Sequence, residues 1–123
     1  MKTSILIVDL STSVIDRLAE ILSETRISAT ILKADSFKKA RKLFYDNKPR
    51  IVLLDIFLPG QKSFELLKEI KDSEDKTSVI ILAIDMDKYA LDQCELLGAD
   101  FFFDKYNEFE KIPAVIESIF ERN

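Results

Sequence analysis

Unbroken apolar runs of three to six residues alternate along this chain with segments whose apolar positions recur every three or four residues. The runs predict strands at Ser4–Val8, Ala29–Lys33, Ile51–Leu54, Ser78–Ala83 and Phe101–Phe103. Because most of them are continuous rather than alternating, they read as strands covered on both faces. Each intervening segment carries one apolar stripe of helical period. Val14, Ile15, Leu18, Ile21 and Leu22 mark the first stripe, and Phe37, Ala40, Leu43 and Phe44 the second. Phe64, Leu67 and Ile70 mark the third, and Ala90, Leu91, Cys94 and Leu97 the fourth. Gly98 stands where a helix C-cap would. Near the end, Pro113 predicts a short turn through Glu108–Lys111, then a helix with Pro113 in its first turn, running to Arg122. Strand and helix thus alternate five times without repeat or linker, which argues for an α/β three-layer sandwich with right-handed crossovers.

Three of the runs end on an ionisable residue. Ile5-Leu6-Ile7-Val8 delivers Asp9, Ile51-Val52-Leu53-Leu54 delivers Asp55, and Phe101-Phe102-Phe103-Asp104 delivers Lys105. The C-terminal edge of an open parallel sheet is where ligands and chemistry collect. A flavodoxin-like five-stranded parallel sheet of order 2-1-3-4-5 is the expected topology, because it sets the Asp9 and Asp55 strands side by side. Neighbouring carboxylates repel and call for a cation between them. Mg²⁺ takes oxygen ligands and few protein carboxylates. A carboxylate can also attack phosphorus, and phosphoryl transfer needs chiefly positioning and charge neutralisation. Asp55 as nucleophile, Asp9 on a metal and Lys105 on phosphoryl oxygens form one coherent set. Taken singly, an Asp at a strand end is often a turn cap and a loop Lys is often solvated. Asp85, Asp87, Asp100 and Asp104 read that way. Joint placement on strands one, three and five is what singles out the trio.

Composition narrows the chemistry further. With 123 residues, 47% hydrophobic and 33% charged, the chain is expected to be one domain over residues 1–123, with no effector domain. A net charge of −4 lacks the basic face that nucleic-acid binding needs. There is no histidine, which removes His-based acid–base catalysis and the usual zinc sites. The single cysteine, Cys94, lies on a helical stripe and reads as a small core residue in a reducing compartment. The first apolar run is too short for a signal peptide or a membrane span, so a cytoplasmic protein is expected. A nucleotide or flavin binder fits poorly, because Leu10-Ser11-Thr12-Ser13 has no glycine to admit a phosphate. A metal hydrolase built on these carboxylates would lack a general base distinct from the ligands.

The segments Ile5–Asp9, Ile51–Gly60 and Gly98–Lys105 resemble, at matching spacing, the receiver domain of two-component response regulators of the single-domain, chemotaxis type. The resemblance implies phosphorylation of Asp55 by a partner histidine kinase or phosphotransfer protein, with Mg²⁺ held by Asp9, Asp55 and the Phe57 carbonyl. Lys105 would contact the phosphoryl group. Such domains catalyse their own phosphotransfer and hydrolysis without being dedicated enzymes. Output would pass to another protein through the fourth helix and fifth strand, with Phe102 at the aromatic switch position and a homodimer possible on that face. Four positions depart from the family. Leu10 replaces a second acidic residue, so Mg²⁺ should bind weakly. Ala83 replaces the Ser or Thr whose hydroxyl closes on the phosphoryl group. Tyr106 follows Lys105 where the family has Pro in a cis peptide, and Ser63 stands where Gly is common. Leu10 and Ala83 favour an alternative, a pseudo-receiver binding module that signals without phosphorylation.

Overall fold

The computed structural model describes residues 3–74, 76–85 and 87–122. Five strands, β1 (Ser4–Val8), β2 (Thr30–Ala34), β3 (Ile51–Asp55), β4 (Ser78–Ala83) and β5 (Phe101–Asp104), alternate with five helices. The helices are α1 (Thr12–Ser23), α2 (Phe37–Asn47), α3 (Lys62–Asp72), α4 (Lys88–Leu96) and α5 (Ile112–Glu121). The strands are parallel in the order β2-β1-β3-β4-β5. The expected topology is the observed one.

Period-two side-chain alternation divides the strands between two cores. Leu6, Val8, Val52, Leu54, Val79 and Ile81 face α2, α3 and α4, where Phe44, Leu66, Leu67, Ile70 and Cys94 meet them. Ile5, Ile7, Ile51, Leu53, Ile80 and Leu82 face α1 and α5, against Leu18, Phe109, Ile112 and Ile116. Helices therefore cover both faces, which explains why the strand sequences are apolar throughout.

Three strands differ from expectation at their boundaries. β2 runs one residue later than Ala29–Lys33, because pairing with β1 sets Thr30 opposite Ser4 and Ala34 opposite Val8. β3 and β5 each extend by one residue, into Asp55 and Asp104. The end of the chain follows the pattern around Pro113: a 3₁₀ turn at Phe109–Lys111 leads into α5, with Pro113 in its first turn.

Local capping signals bound the helices. Ser11, Ser36 and Asp87 cap α1, α2 and α4 by accepting from Val14, Lys39 and Ala90 N–H. Past α4, Gly98 N–H donates to Glu95 and Ala99 N–H to Cys94, a Schellman closure. Gly98 has φ +99°, a backbone conformation that favours glycine, and a Cβ there would press on the Lys71 stem at 3.3 Å. Asp100 goes beyond the solvated or capping role read from sequence. Its Oδ2 accepts from Val79 N–H at 2.8 Å and from Lys71 Nζ at 2.6 Å, tying α3 to the start of β4.

Candidate functional site

Asp9, Asp55 and Lys105 come together at the C-terminal edge of the sheet. Each backbone is held by the ladder or its continuation. Asp9 N–H donates to the Ala34 carbonyl at 3.1 Å and Lys105 N–H to the Ala83 carbonyl at 2.8 Å. Asp55 is the last residue of β3, in register with Leu82. The Lys105 ammonium lies 2.7 Å from Asp9 Oδ2 and 3.2 Å from Asp55 Oδ2. All three residues are buried, Asp55 at 3% exposure and Lys105 at 6%.

The second carboxylate oxygens are used locally. Asp9 Oδ1 accepts from Ser11 N–H at 2.8 Å, and Asp55 Oδ1 from Phe57 N–H at 3.0 Å. Both carboxylates are thereby turned so that Oδ2 faces the ammonium. Asp9 Oδ2 is charge-paired there but receives no aligned hydrogen bond. Burial pushes the Asp9 carboxyl above the ordinary range; Lys105 and the Ser11 amide oppose that push, and Asp55 adds to it. Burial pulls the Lys105 ammonium down, but the two carboxylates outweigh it and its pKa is raised.

Left-handed backbone recurs in the loops around this pocket, at a cost for its two non-glycine residues. Gly60 (φ +67°) and Gln61 (φ +57°) occupy the left-handed region in succession between β3 and α3, and Asp85 (φ +47°) does so after β4. The Ser63 hydroxyl, buried beneath the β3–α3 loop, donates to the Asp55 carbonyl and accepts from Leu58 N–H. Ser63 is one of the four departures from the family, and its role in holding the loop does not show in the resemblance. Its signal is a small hydroxyl in the first turn of α3, able to satisfy backbone groups of the loop that carries Asp55.

The other expected residues fall around the trio. Ala83 ends β4, buried, next to β5 and its Lys105. Phe102 is half-buried against the α2–α4 side. Phe57 and Leu10 are half exposed beyond the strand ends. The Lys105–Tyr106 peptide is trans, as no described peptide bond is cis. Asp104 turns the chain after β5, its Oδ1 accepting from Tyr106 and Asn107 N–H. Among the described residues no cluster of three or more His, Cys, Asp or Glu side chains forms a metal cage. Two carboxylate oxygens directed at one point, one of them short of a donor, nevertheless suit a hard cation that keeps most of its waters.

A family model described as the response regulator receiver domain matches residues 5–117. The sensory transduction protein LytT of Bacillus subtilis (strain 168) is 30% identical over 113 residues, covering 92% of this chain and 46% of LytT. LytT of Enterococcus faecalis (strain ATCC 700802 / V583) is 29% identical with the same coverage. The chain spans about half the length of these curated relatives. Among solved structures, the signal receiver domain of a DNA-binding response regulator (merR) from Colwellia psychrerythraea 34H superposes with TM-score 0.89. It is 25% identical and covers 98% of this chain and 99% of its own.

Lys105→Met keeps the stem and removes the charge between two buried carboxylates. Stability at pH 7 should fall by roughly 2–4 kcal/mol, read by urea unfolding. A carboxyl whose folded pKa lies above its unfolded value binds a proton in the native state that the unfolded chain has released. Its contribution is full below the ordinary value of 3.8 and is lost as pH rises through the folded value. The deficit in Lys105→Met should therefore grow from about pH 4 to pH 7, and Asp9→Asn in that background should recover most of it. In the wild type, the raised Lys105 ammonium stabilises fully below 10.5 and loses its effect only above that. A pH-independent deficit would assign the loss to packing instead.

Proposed function

The chain belongs to the response regulator receiver domain family, and from that membership we propose that it accepts a phosphoryl group on Asp55. The observation that carries this reading is the single ammonium shared by Asp9 and Asp55 at the sheet edge. Receiver domains of response regulators interact with histidine kinases or phosphotransfer proteins. The 123 residues contain no histidine, so the phosphohistidine comes from outside them. An Asp55 carboxylate oxygen forms the new O–P bond as the donor's P–N bond breaks. The electron pair stays on the imidazole nitrogen, which then takes up a proton. Lys105, held between the carboxylates, moves its charge onto the phosphoryl oxygens as Asp55 is consumed.

Receiver domains generally bind Mg²⁺ at the phosphorylation site, where it neutralises phosphoryl charge. Here Asp9, Asp55 and the Phe57 carbonyl would hold it, and weakly, since Leu10 offers no oxygen. The domain passes its state to a further protein through the α4 and β5 face around Phe102, which also offers a homodimer contact. A second reading, the pseudo-receiver, is favoured by Leu10 and Ala83. The buried Ala83 methyl has no hydroxyl to close on a phosphoryl group.

Acetyl phosphate with Mg²⁺ should add one phosphoryl group to the wild type and none to Asp55→Asn, read by intact mass. Equal labelling of the Asn variant would place the acceptor elsewhere, and no labelling under saturating Mg²⁺ would favour the pseudo-receiver. In a Mg²⁺ titration, Leu10→Asp should tighten binding by about tenfold, because it restores an anionic ligand; unchanged affinity would refute the role given to position 10. Ala83→Thr should supply a hydrogen bond to a charged group of roughly 1.5–3 kcal/mol. Full switching needs about 5.5 kcal/mol of differential binding. Beryllofluoride should then shift the amides of residues 89–97 and 101–105 only partly in the wild type and more fully in the Thr variant. A complete shift in both would show the hydroxyl to be dispensable.

A further inference from the structure

Lys105 reaches the two acids from a backbone that its neighbours clasp on both sides. β5 is an edge strand of the sheet, so the outward N–H and carbonyl of its last residue, Asp104, face no partner strand. Glu108 supplies both partners. Its Oε1 accepts from Asp104 N–H at 2.8 Å, and its own N–H donates to the Asp104 carbonyl at 3.2 Å. The Asp104 side chain closes the turn from inside, Oδ1 accepting from Tyr106 N–H at 3.0 Å and Asn107 N–H at 2.9 Å. Four hydrogen bonds between two acids and one turn thus enclose Lys105, whose own N–H holds the Ala83 carbonyl on the other side. Resting on the reading of Asp55 as phosphoacceptor, we propose that Glu108 is a positioning residue for phosphoryl transfer. It acts through Asp104, fixing the backbone from which the Lys105 ammonium meets both carboxylates and, later, the phosphoryl oxygens.

Tyr106 makes such a clasp necessary. Unlike proline, it leaves φ free and brings an N–H that must find an acceptor beside a buried site. The Asp104 carboxylate takes that N–H, and Glu108 keeps Asp104 in place. Glu108 is itself anchored by its neighbour Phe109, which is buried at 2% exposure in the core under α1 and α5. Lys111 also engages Glu108, its ammonium lying 2.9 Å from Oε2. That pair is exposed, and exposed pairs contribute little. The working atom is Oε1. Tolerance at the site is small, because the Lys105 ammonium must serve Asp9 Oδ2 at 2.7 Å and Asp55 Oδ2 at 3.2 Å together. A displacement of about 1 Å in such a group can slow a reaction on the order of a hundredfold.

Reach and charge can be separated at this position. Glu108→Gln keeps the reach of Oε1 and loses the charge, whereas Glu108→Asp keeps the charge and loses the reach. Labelling of Asp55 by acetyl phosphate in Mg²⁺ should stay within about twofold of the wild type in the Gln variant, and should slow about tenfold in Glu108→Asp and Glu108→Ala. In a Lys105→Met background the Asp and Ala changes should alter the rate by less than about twofold, because Glu108 acts only through that ammonium. The second readout is the nitrogen NMR signal of the Lys105 ammonium, identified by its loss in Lys105→Met. It should move toward the signals of exposed lysines in the Asp and Ala variants and stay in place in the Gln variant. Where Glu108→Ala does not fold, the Gln and Asp variants carry the comparison; where Lys105→Met is too slow to label, the ammonium signal decides. A Lys105 signal unmoved in the Asp and Ala variants overturns the proposal, and labelling of Asp55 then leaves the phosphoacceptor reading standing. Equal slowing with and without Lys105 also overturns it, by making the turn a matter of general stability. Equal slowing in the Gln and Asp variants does the same, by giving the effect to the Lys111 pair. A moving Lys105 signal with no labelling of Asp55 in any chain sinks the phosphoacceptor reading and keeps Glu108 as the residue that places Lys105.

Discussion

The three central strands have no solvated face, and the placement of every polar group near them follows from that constraint. No side chain from Ile5 to Val8, Ile51 to Leu54 or Val79 to Ala83 is more than 2% exposed. A charge inserted into those runs would lose its hydration without a partner, at a cost of several kcal/mol. In these strands ionisable groups can enter only at the ends. The C-terminal end is where Asp9, Asp55 and Lys105 appear, each continuing a backbone ladder that the apolar runs have already fixed. Precision at the site is therefore inherited from the core. The strands hold the three Cα positions, and the long Lys105 stem spans the remaining distance.

Electrostatics then distributes the strain. Two carboxylates and one ammonium leave a net negative pocket in which neither acid has an ideal environment. Asp9 carries the larger part of the burden, with a raised pKa and an oxygen that lacks an aligned donor. A buried ion pair of this kind is poor evidence for stability. Its value lies in poise: the ammonium is held by both acids and committed to neither. The same economy appears in the backbone, where Gly60, Gln61 and Asp85 occupy left-handed conformations on the loops flanking the pocket. Ser63 offsets part of that strain by satisfying the Asp55 carbonyl and the Leu58 amide in one stroke.

Much of this was legible in the residues, for identifiable reasons. Strands buried on both faces write themselves as apolar runs, and their ends name the site residues directly. β2 was placed one residue early because it is an edge strand of mixed exposure, whose register comes from pairing with β1 rather than from its own pattern. The side-chain partners were less accessible. That Lys105 bridges both acids depends on the course of a flexible chain of methylenes. That Asp100 ties Lys71 to Val79 depends on where two loops meet at the opposite end of the sheet. The apolar stripe of α4 also promised more than it delivers. Ala90 and Leu97 are only partly covered, Leu96 is exposed, and Cys94 is the one buried side chain of that helix.

That thin anchoring turns Cys94 into a reporter of opening. Burial raises its thiol to a pKa of about 11, so at neutral pH it is both protonated and out of reach. An alkylating reagent can meet the thiolate only when α4 lifts away from the sheet, and the chain has no other cysteine to obscure the reading. When reclosing is fast, the labelling rate is the opening equilibrium multiplied by the reagent's intrinsic rate. The share of time this helix spends off its bed is thus written in the chemistry of a single sulfur atom, without any engineered residue.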